Sequence, residues 1–193
     1  MKIIYSLLLF FSMRSLKIIL LVTKIIQGNK LIQNKNNGLK TEYSRYMTGF
    51  IVKTKDHKTI RFRFYNQDAP VTCSEFASLL PFTRTLMHAR VSGQEIWTDQ
   101  APVLDIIQEN ASVFTEPGEV VFGPLKPTRT KTSTCIGIYY GEGRGLDCCN
   151  IFAKVYEKDF DLLKALGNDI WKNGTQELTF EKPDITEERE SIK

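Results

Sequence analysis

One short segment of the chain holds the densest group of residues that could do chemistry. His88 and Arg90 lie two positions apart, so on a β-strand both side chains point to the same face. Gly93 permits a sharp turn that brings Glu95 and Trp97 back beside them. A guanidinium is a planar fork for a carboxylate or a carbonyl, and an indole is an apolar wall. The spacing therefore predicts a ligand pocket with a preference for anions.

The same residues allow a second interpretation. Arg90 and Glu95 have the charges of a structural ion pair, within which His88 would make a hydrogen bond. Tyr140 and Asn150, on neighbouring predicted elements, add polar groups to the candidate pocket. If Arg90 belongs to a buried ion pair, its removal should destabilise the domain strongly. If it lies in an open, solvated cleft, its removal should leave the stability nearly unchanged. We predict the open cleft, centred on Arg90.

No catalytic or metal-binding pattern is recognisable elsewhere in the sequence. There is no carboxylate pair at a catalytic spacing, no metal triad and no Ser-His-Asp order, so we predict neither a metal nor a cofactor. The four cysteines are Cys73, Cys135, Cys148 and Cys149. They lack C-x-x-C spacing, which favours reduced cysteines packed as small hydrophobes. A catalytic thiol at Cys148 or Cys149 is the alternative, although no histidine lies nearby in sequence.

The net charge of the 193-residue chain, +4, is unevenly distributed. Residues 1–46 contain eight Lys and Arg against one acid, which gives +7, and residues 47–193 contain eighteen against twenty-one acids, which gives −3. The basic character therefore belongs to the N-terminal segment. The remaining domain has no electrostatic reason to bind nucleic acid, and we exclude nucleic acid as a partner.

The composition of residues 1–46 differs from that of the rest. All seven prolines and all seven alanines follow Met47, while residue types with AT-rich codons are concentrated before it. We predict that Met47 is the biological start and that the protein is cytoplasmic. A signal or membrane anchor within residues 1–26 is one alternative, and a basic amphipathic surface helix is another. Contact with a membrane is expected only if residues 1–46 are genuine.

The periodicity of residues 47–182 predicts about eight strands and two short helices. There is no alternation of strands with helices, which favours an antiparallel barrel or sandwich with two covering helices over a parallel sheet. Residues 183–193 are expected to form a charged tail. The predicted elements are strands at Phe50–Thr54, Lys58–Phe64, Thr85–Ser92, Gln94–Thr98, Glu119–Phe122, Thr134–Tyr140, Asn150–Val155 and Thr175–Glu181, helices near Pro70–Leu80 and Asp159–Lys172, and a loop at Gly141–Gly145.

Two local predictions concern how these elements are oriented and capped. In the strand Thr85–Ser92, we expect Met87, Ala89 and Val91 to face the core, because they are small or apolar. His88 and Arg90 then face solvent or a pocket. In the first helix, Thr72 and Glu75 have capping-box spacing, and one apolar helix face carries Cys73, Phe76, Ala77 and Leu80.

Six short motifs are spread along residues 69–153: Ala69-Pro70-x-Thr72-Cys73, Leu80-Pro81-Phe82, His88-Ala89-Arg90-x-Ser92-Gly93, Glu95-x-Trp97, Glu116-Pro117-Gly118-Glu119 and Asn150-x-Phe152-Ala153. Together they resemble a small prokaryotic cyclophilin-like family of unknown function. The resemblance covers residues 47–182, implies a cyclophilin-like closed antiparallel β-barrel of about eight strands with two short covering helices, and places the start of the family near Met47. Two segments depart from it: Thr130–Thr134 lacks an acid-rich run, and Ile151 stands where the family has histidine.

Three function classes remain open from the sequence. We predict a domain that binds a small anionic or carbonyl-bearing ligand, or a short peptide, around Arg90. The first alternative is a peptidyl-prolyl cis-trans isomerase. Cyclophilin isomerases use an arginine that donates to the substrate carbonyl, although the Phe-rich and Gln-containing signatures of true cyclophilins are not matched here. The second alternative is a structural domain that forms homo-oligomers without a ligand. Whether the chain is an enzyme is left open.

Overall fold

The computed structural model describes residues 47–125 and 132–184. The predictions for residues 1–46, namely a late start site, a signal or anchor, and an amphipathic helix, lie outside the described residues. Most of the predicted charged tail also lies outside them. Within the described part of the chain, no helix has the length and hydropathy needed to cross a membrane.

The described residues form eight strands and two α-helices, as predicted. A short 3-10 turn at Glu157–Asp159 leads into the second helix. In chain order the elements are β1 (Gly49–Lys53), β2 (Thr59–Phe64), α1 (Pro70–Leu79), β3 (Phe82–His88), β4 (Gly93–Thr98), β5 (Ala111–Phe114), β6 (Glu119–Phe122), β7 (Ile136–Val155), α2 (Phe160–Asn173) and β8 (Gln176–Glu181).

The strands form one antiparallel sheet that closes on itself. Their order is β2-β1-β8-β3-β4-β7-β5, with β6 also paired to β7. Pairing of Phe62 in β2 with Val155 in β7 closes the ring. The predicted mainly β fold with a closed antiparallel arrangement and two helices is therefore confirmed.

The long strand β7 replaces two predicted strands and the predicted Gly141–Gly145 loop. Gly143 pairs with Gly93 of β4, and Arg144 pairs with Phe114 of β5. A Cβ at Gly143 would overlap the Ser92 carbonyl oxygen. The glycines that suggested a loop thus let neighbouring backbones approach closely, and the strand continues through them.

An aromatic core fills the interior of the ring. Phe50 of β1 and Phe62 of β2 are stacked, with ring centroids 4.9 Å apart, and Phe76 of α1 lies 4.9 Å from Phe50. The predicted apolar face of α1 is confirmed, since all four of its residues are buried: Cys73, Phe76, Ala77 and Leu80. Burial of these apolar side chains, more than the intrinsic helix propensity of the sequence, stabilises α1.

The predicted capping box of α1 does not form. Ala69 occupies the N-cap position, and no side-chain cap bond is made there. The Glu109 carboxylate instead accepts hydrogen bonds from the backbone N–H groups of Val71, at 3.4 Å, and Thr72. Thr72 is buried and accepts a hydrogen bond from the Asn150 amide. A residue distant in sequence therefore satisfies the free donors at this helix end.

The predicted core face of β3 is wrong for two of its three residues. Ala89 is buried, but Met87 is exposed and Val91 is 71% exposed, whereas Leu86 is fully buried in the core. Strand pairing ends at His88, so Ala89 to Ser92 belong to the following turn. The alternation correctly separated the two faces of this strand. The inner face is the one that carries Leu86, not the one that carries Met87.

Candidate functional site

A cavity of about 300 Å³ lies on the outer face of the sheet, against β4, β6 and β7. The cavity exists because successive side chains of β4 and β7 point alternately to the two faces of the sheet, and each face carries an apolar cluster. Ile96 and Ile138 face the interior core, while Tyr139 belongs to a second, smaller apolar cluster that Trp97 packs against. The turn after β3 forms the opposite side of the cavity.

Four of the six predicted site residues line this cavity. They are His88, Arg90, Glu95 and Trp97. The sequence did not predict several other lining residues as part of this pocket. They come from the turn after β3, the loop after β5, the strands β6 and β7, and the residue before β7: Ser92, Thr115, Val121, Tyr139, Cys149 and Cys135. Alternation along β7 carried a signal for Tyr139, because it lies next to Tyr140 and faces the other way.

Arg90 lies in the exposed turn between β3 and β4. The turn is held by a 2.8 Å hydrogen bond from Ala89 N–H to the Glu95 carbonyl and by the positive φ of Gly93, 91°. Among the described residues, Arg90 makes no hydrogen bond or ion pair, and no ion pair joins it to Glu95. The alternative of a structural Arg90–Glu95 pair is therefore wrong for the described residues. The reason is that the turn carries Arg90 out to solvent.

Glu95 places a carboxylate in the wall of the cavity with only 8% of its surface exposed. The Ser92 hydroxyl donates to Oε2 of Glu95. A Cβ at position 137 would overlap Oε1, so Gly137 on β7 provides the space that this side chain occupies. Burial raises the pKa of Glu95 to about 7, although hydrogen bonds from Ser92 and Tyr139 act in the opposite direction.

Besides Ser92, the side chains of Thr115, Thr132 and Tyr139 bring hydroxyl groups to the cavity. Burial, followed by the charge of Glu95, raises the pKa of the Tyr139 hydroxyl, which therefore stays neutral. The hydroxyl oxygens of Thr115 and Thr132 are buried, and within the described part of the chain no partner meets strict hydrogen-bond geometry. Thr115 nevertheless lies close enough to the Tyr139 hydroxyl, and Thr132 to the Cys149 thiol, to lower the pKa of each. Both threonines line the cavity. Buried polar groups are normally satisfied, so these two are candidates for contact with a bound molecule.

Two thiols also lie in the cavity wall. The sulfur atoms of Cys135 and Cys149 are 4.0 Å apart, and all four cysteines are free. The Cys135 thiol donates a hydrogen bond that lowers the pKa of Cys149, and the pKa of Cys135 is raised in turn. Three of the four cysteines, Cys73, Cys135 and Cys149, are buried, as expected for cysteines packed as small hydrophobes. Cys148 does not line this cavity.

Tyr140 lies on the inner side of β7 and reaches the cavity only through His88. Its hydroxyl is 2.7 Å from His88 Nε2, and its ring packs over Gly167 of α2. His88 Nδ1 lies 2.7 Å from the Ala89 carbonyl oxygen, which can only accept, so Nδ1 carries the proton. The ring of Trp171 lies 4.4 Å from that of His88. His88 thus joins the turn to the core and to α2.

Asn150 lies away from the cavity and has a structural role. Its side chain is fully buried and donates to Thr72 Oγ1 and to the Ile107 carbonyl, both at 2.9 Å. Its amide oxygen accepts a 3.1 Å hydrogen bond from Glu109 N–H. Asn150 therefore joins α1 and the segment before β5 to β7. The structure does not bring Tyr140 and Asn150 into the wall of the cavity.

A family model matches the sequence over residues 52–182. The family is described as "Protein of unknown function (DUF3830)". This match confirms the predicted assignment to a family of unknown function. A search of curated proteins found no match.

Solved structures resemble the chain at low sequence identity. A structure of McbB in complex with tryptophan has a TM-score of 0.54 and 16% identity, over 69% of this chain and 44% of that one, so this chain spans less than half of its length. A hypothetical protein from Archaeoglobus fulgidus gives 0.48 and 17%, over 71% and 95%. A cyclophilin type peptidyl-prolyl cis-trans isomerase from Cryptosporidium parvum, in the presence of the dipeptide Ala-Pro, gives 0.49 and 15%, over 70% and 99%.

Proposed function

We propose that this chain, which belongs to the family described as "Protein of unknown function (DUF3830)", binds a small molecule in the cavity beside Arg90. The molecule has an apolar body and a carboxylate or carbonyl group. One observation carries the proposal: an unpaired, exposed guanidinium and the buried hydroxyls of Thr115 and Thr132 line one largely apolar cavity. Ligand sites commonly combine apolar walls with a few such polar groups.

The size and walls of the cavity support a ligand of modest size. Its volume of about 300 Å³ lies at the lower end of the range for small-molecule sites. Apolar wall is contributed by Trp97, Val121 and Leu146, and the side chain of Leu146 is largely exposed at the edge. Burial of a ring or a branched alkyl group against these side chains would provide most of the affinity.

Arg90 would hold the carboxylate or carbonyl end of the ligand. It lies in an exposed turn, so its guanidinium can stay solvated until a ligand arrives. A guanidinium binds a carboxylate through two parallel hydrogen bonds, which fixes the orientation of the ligand as well as its position. The hydroxyls of Thr115 and Thr132 can hydrogen-bond further polar atoms of the ligand.

Calorimetric titration of the full chain with phenylpropionate tests this proposal. The probe carries a ring and a carboxylate and fits the cavity volume. We expect Arg90→Gln to weaken binding by about tenfold or more, the scale of one charged hydrogen-bonded contact. The control is Arg63→Gln, because Arg63 is an exposed arginine on β2 that does not line this cavity. Equal affinities for the two variants would refute the proposed role of Arg90.

The isomerase alternative is supported by one feature, the free and accessible guanidinium of Arg90. The guanidinium lies in a turn that shares its cavity with the buried carboxylate of Glu95. A substrate proline ring would bind less favourably beside a carboxylate than against an apolar surface. A proline-isomerisation assay on an Ala-Pro tetrapeptide separates the two functions. A rate above the uncatalysed reaction that disappears in Arg90→Gln would replace ligand binding by catalysis as the proposed function.

A further inference from the structure

We infer that Glu95 binds a protonated amine of the ligand, so that the pocket accepts a zwitterion with an apolar body, such as an amino acid with a large apolar side chain. The inference rests on the proposed function and adds a second charged contact to it. Arg90 would hold the carboxylate, and Glu95 would hold the ammonium group.

The first step is that Glu95 is a buried carboxylate without a cation. Among the described residues, its hydrogen-bond partners are the hydroxyls of Ser92 and Tyr139, and no Lys, Arg or His forms an ion pair with it. A buried charge of this kind is costly unless it is paired. An ammonium group entering the cavity would supply the missing charge.

The second step is that the carboxylate retains free acceptor capacity toward the cavity. An ionised carboxylate offers about four acceptor positions, and the two hydroxyls occupy only part of them. Gly137 on β7 leaves the space that Oε1 of Glu95 occupies, and Glu95 forms part of the cavity wall. Glu95 and Thr115 both lie beside the Tyr139 hydroxyl, so an ammonium group there would reach the Glu95 carboxylate and the Thr115 hydroxyl.

The third step concerns the polarity of the whole cavity. Arg90 and Glu95 line the same space but do not pair with each other, so each charge is available to a ligand. Arg90 is exposed at the edge and Glu95 is buried. Trp97 contributes apolar wall to the same cavity. A molecule with a carboxylate, an ammonium group and a ring satisfies all three features.

A competing arrangement has Glu95 protonated and donating a hydrogen bond to a ligand carbonyl. The two arrangements have opposite pH dependence. Amine binding needs ionised Glu95 and should weaken as the pH falls through about 7, whereas carbonyl binding should strengthen. Other titratable or charged groups face Glu95 or line the same cavity and enter the comparison: His88, Arg90, Cys135, Tyr139, Asp147 and Cys149.

The experiment compares phenylalanine, phenylpropionate and phenethylamine as calorimetric probes of the full chain. All three carry a phenyl ring. Phenylalanine has both a carboxylate and an amine, phenylpropionate has only the carboxylate, and phenethylamine has only the amine. In mildly alkaline buffer we expect phenylalanine to bind about tenfold or more tightly than phenylpropionate. Glu95→Gln should remove this advantage and leave phenylpropionate unchanged or improved. The control Glu142→Gln changes an exposed glutamate of the same strand, β7, that does not line the cavity.

Each result assigns success or failure separately. If phenylpropionate binds in an Arg90-dependent way and phenylalanine gains nothing, the amine inference is overturned and the proposed function stands. If all three probes bind more weakly than about 1 mM, both are overturned. Should Glu95→Gln not fold, the unmodified chain decides, since phenylalanine affinity that is constant or rises on acidification contradicts the inference. Glu95→Gln removes only the ionisation of Glu95, so pH dependence that persists in the variant would come from another group of the cavity and would overturn the inference.

Discussion

Replacing Glu95 by Gln should stabilise the unliganded protein, and by more at high pH than at low pH. The carboxylate is buried, and its pKa is raised from 4.5 to about 7. The folded state therefore binds a proton more tightly than the unfolded state. For a carboxyl group shifted in this direction, stability is lost as the pH rises from 4.5 through 7. Gln has nearly the same shape and never carries the charge.

The shift sets the magnitude of this effect. Each pKa unit corresponds to about 1.4 kcal/mol, so a shift from 4.5 to about 7 costs the folded protein about 3 kcal/mol well above neutrality. At about pH 5 most of that cost is absent. The altered hydrogen bond to Ser92 contributes about 1 kcal/mol at either pH and cancels in the comparison. The stabilisation by Glu95→Gln should therefore shrink by about 2 to 3 kcal/mol between about pH 8.5 and about pH 5.

Urea unfolding of the two proteins at both pH values measures this difference. The variant Glu142→Gln serves as the control, because Glu142 is exposed on the same strand. Its effect should stay within about 0.5 kcal/mol at each pH. A stabilisation by Glu95→Gln that is equal at the two pH values would refute the reasoning, since it would show that Glu95 does not change its charge between them.

Three further predictions concern the other residues of this account. Arg90→Ala should change the free energy of unfolding by at most about 0.5 kcal/mol in denaturant melts, because Arg90 is exposed; a loss above about 3 kcal/mol would instead indicate a buried pair. In the same melts, Asn150→Ala should lower the free energy of unfolding by about 3 kcal/mol and leave ligand affinity unchanged, because Asn150 is buried away from the cavity. Asn168→Ala should change neither quantity, because Asn168 is exposed. Burial tends to raise the pKa of Asp159, but hydrogen bonds and charge from Arg61, at 2.7 Å, lower it overall. Asp159→Asn should therefore lower the free energy of unfolding by about 2 kcal/mol at neutral pH. In acid melts below the ordinary pKa of 3.8 this loss should shrink progressively.

Local patterns predicted the elements that depend on local physics. The alternation of Ile60, Phe62 and Phe64 identified the buried face of β2, and the helical spacing of Cys73 and Phe76 identified that of α1. In both cases one face is clearly apolar and the other clearly polar. Residues two apart on a strand or four apart on a helix must then share an environment.

Predictions failed where a distant segment decides the outcome. Both faces of β3 carry apolar side chains, so the sequence could not tell that Leu86 and not Met87 is buried. The N-terminus of α1 is satisfied by Glu109, which is 37 positions from Thr72. The glycines around Gly143 are compatible with a loop or with closely packed strands, and only the pairing partner distinguishes them.

The candidate site was predicted in part for the same reason. His88, Arg90, Glu95 and Trp97 lie within ten positions of one another, and a single turn brings them together. Tyr139 and Cys149 come from distant parts of β7, and their place beside Glu95 depends on sheet register. Asn150 was grouped with the site because it is polar and near a strand start, whereas burial turned its amide toward the helix.

The length and partners of β7 also determine how this chain can fold. Residues 136–155 pair with β2, β4, β5 and β6, and the contact that closes the ring joins positions as far apart as Phe62 and Val155. Four strands therefore leave the ribosome before their common partner is synthesised. Contacts of such large sequence separation slow folding, because loop entropy is lost before the pairing is gained. Until β7 is made, the unpaired edges of β2 and β4 are open to pairing with other chains, so association of incomplete chains competes with folding.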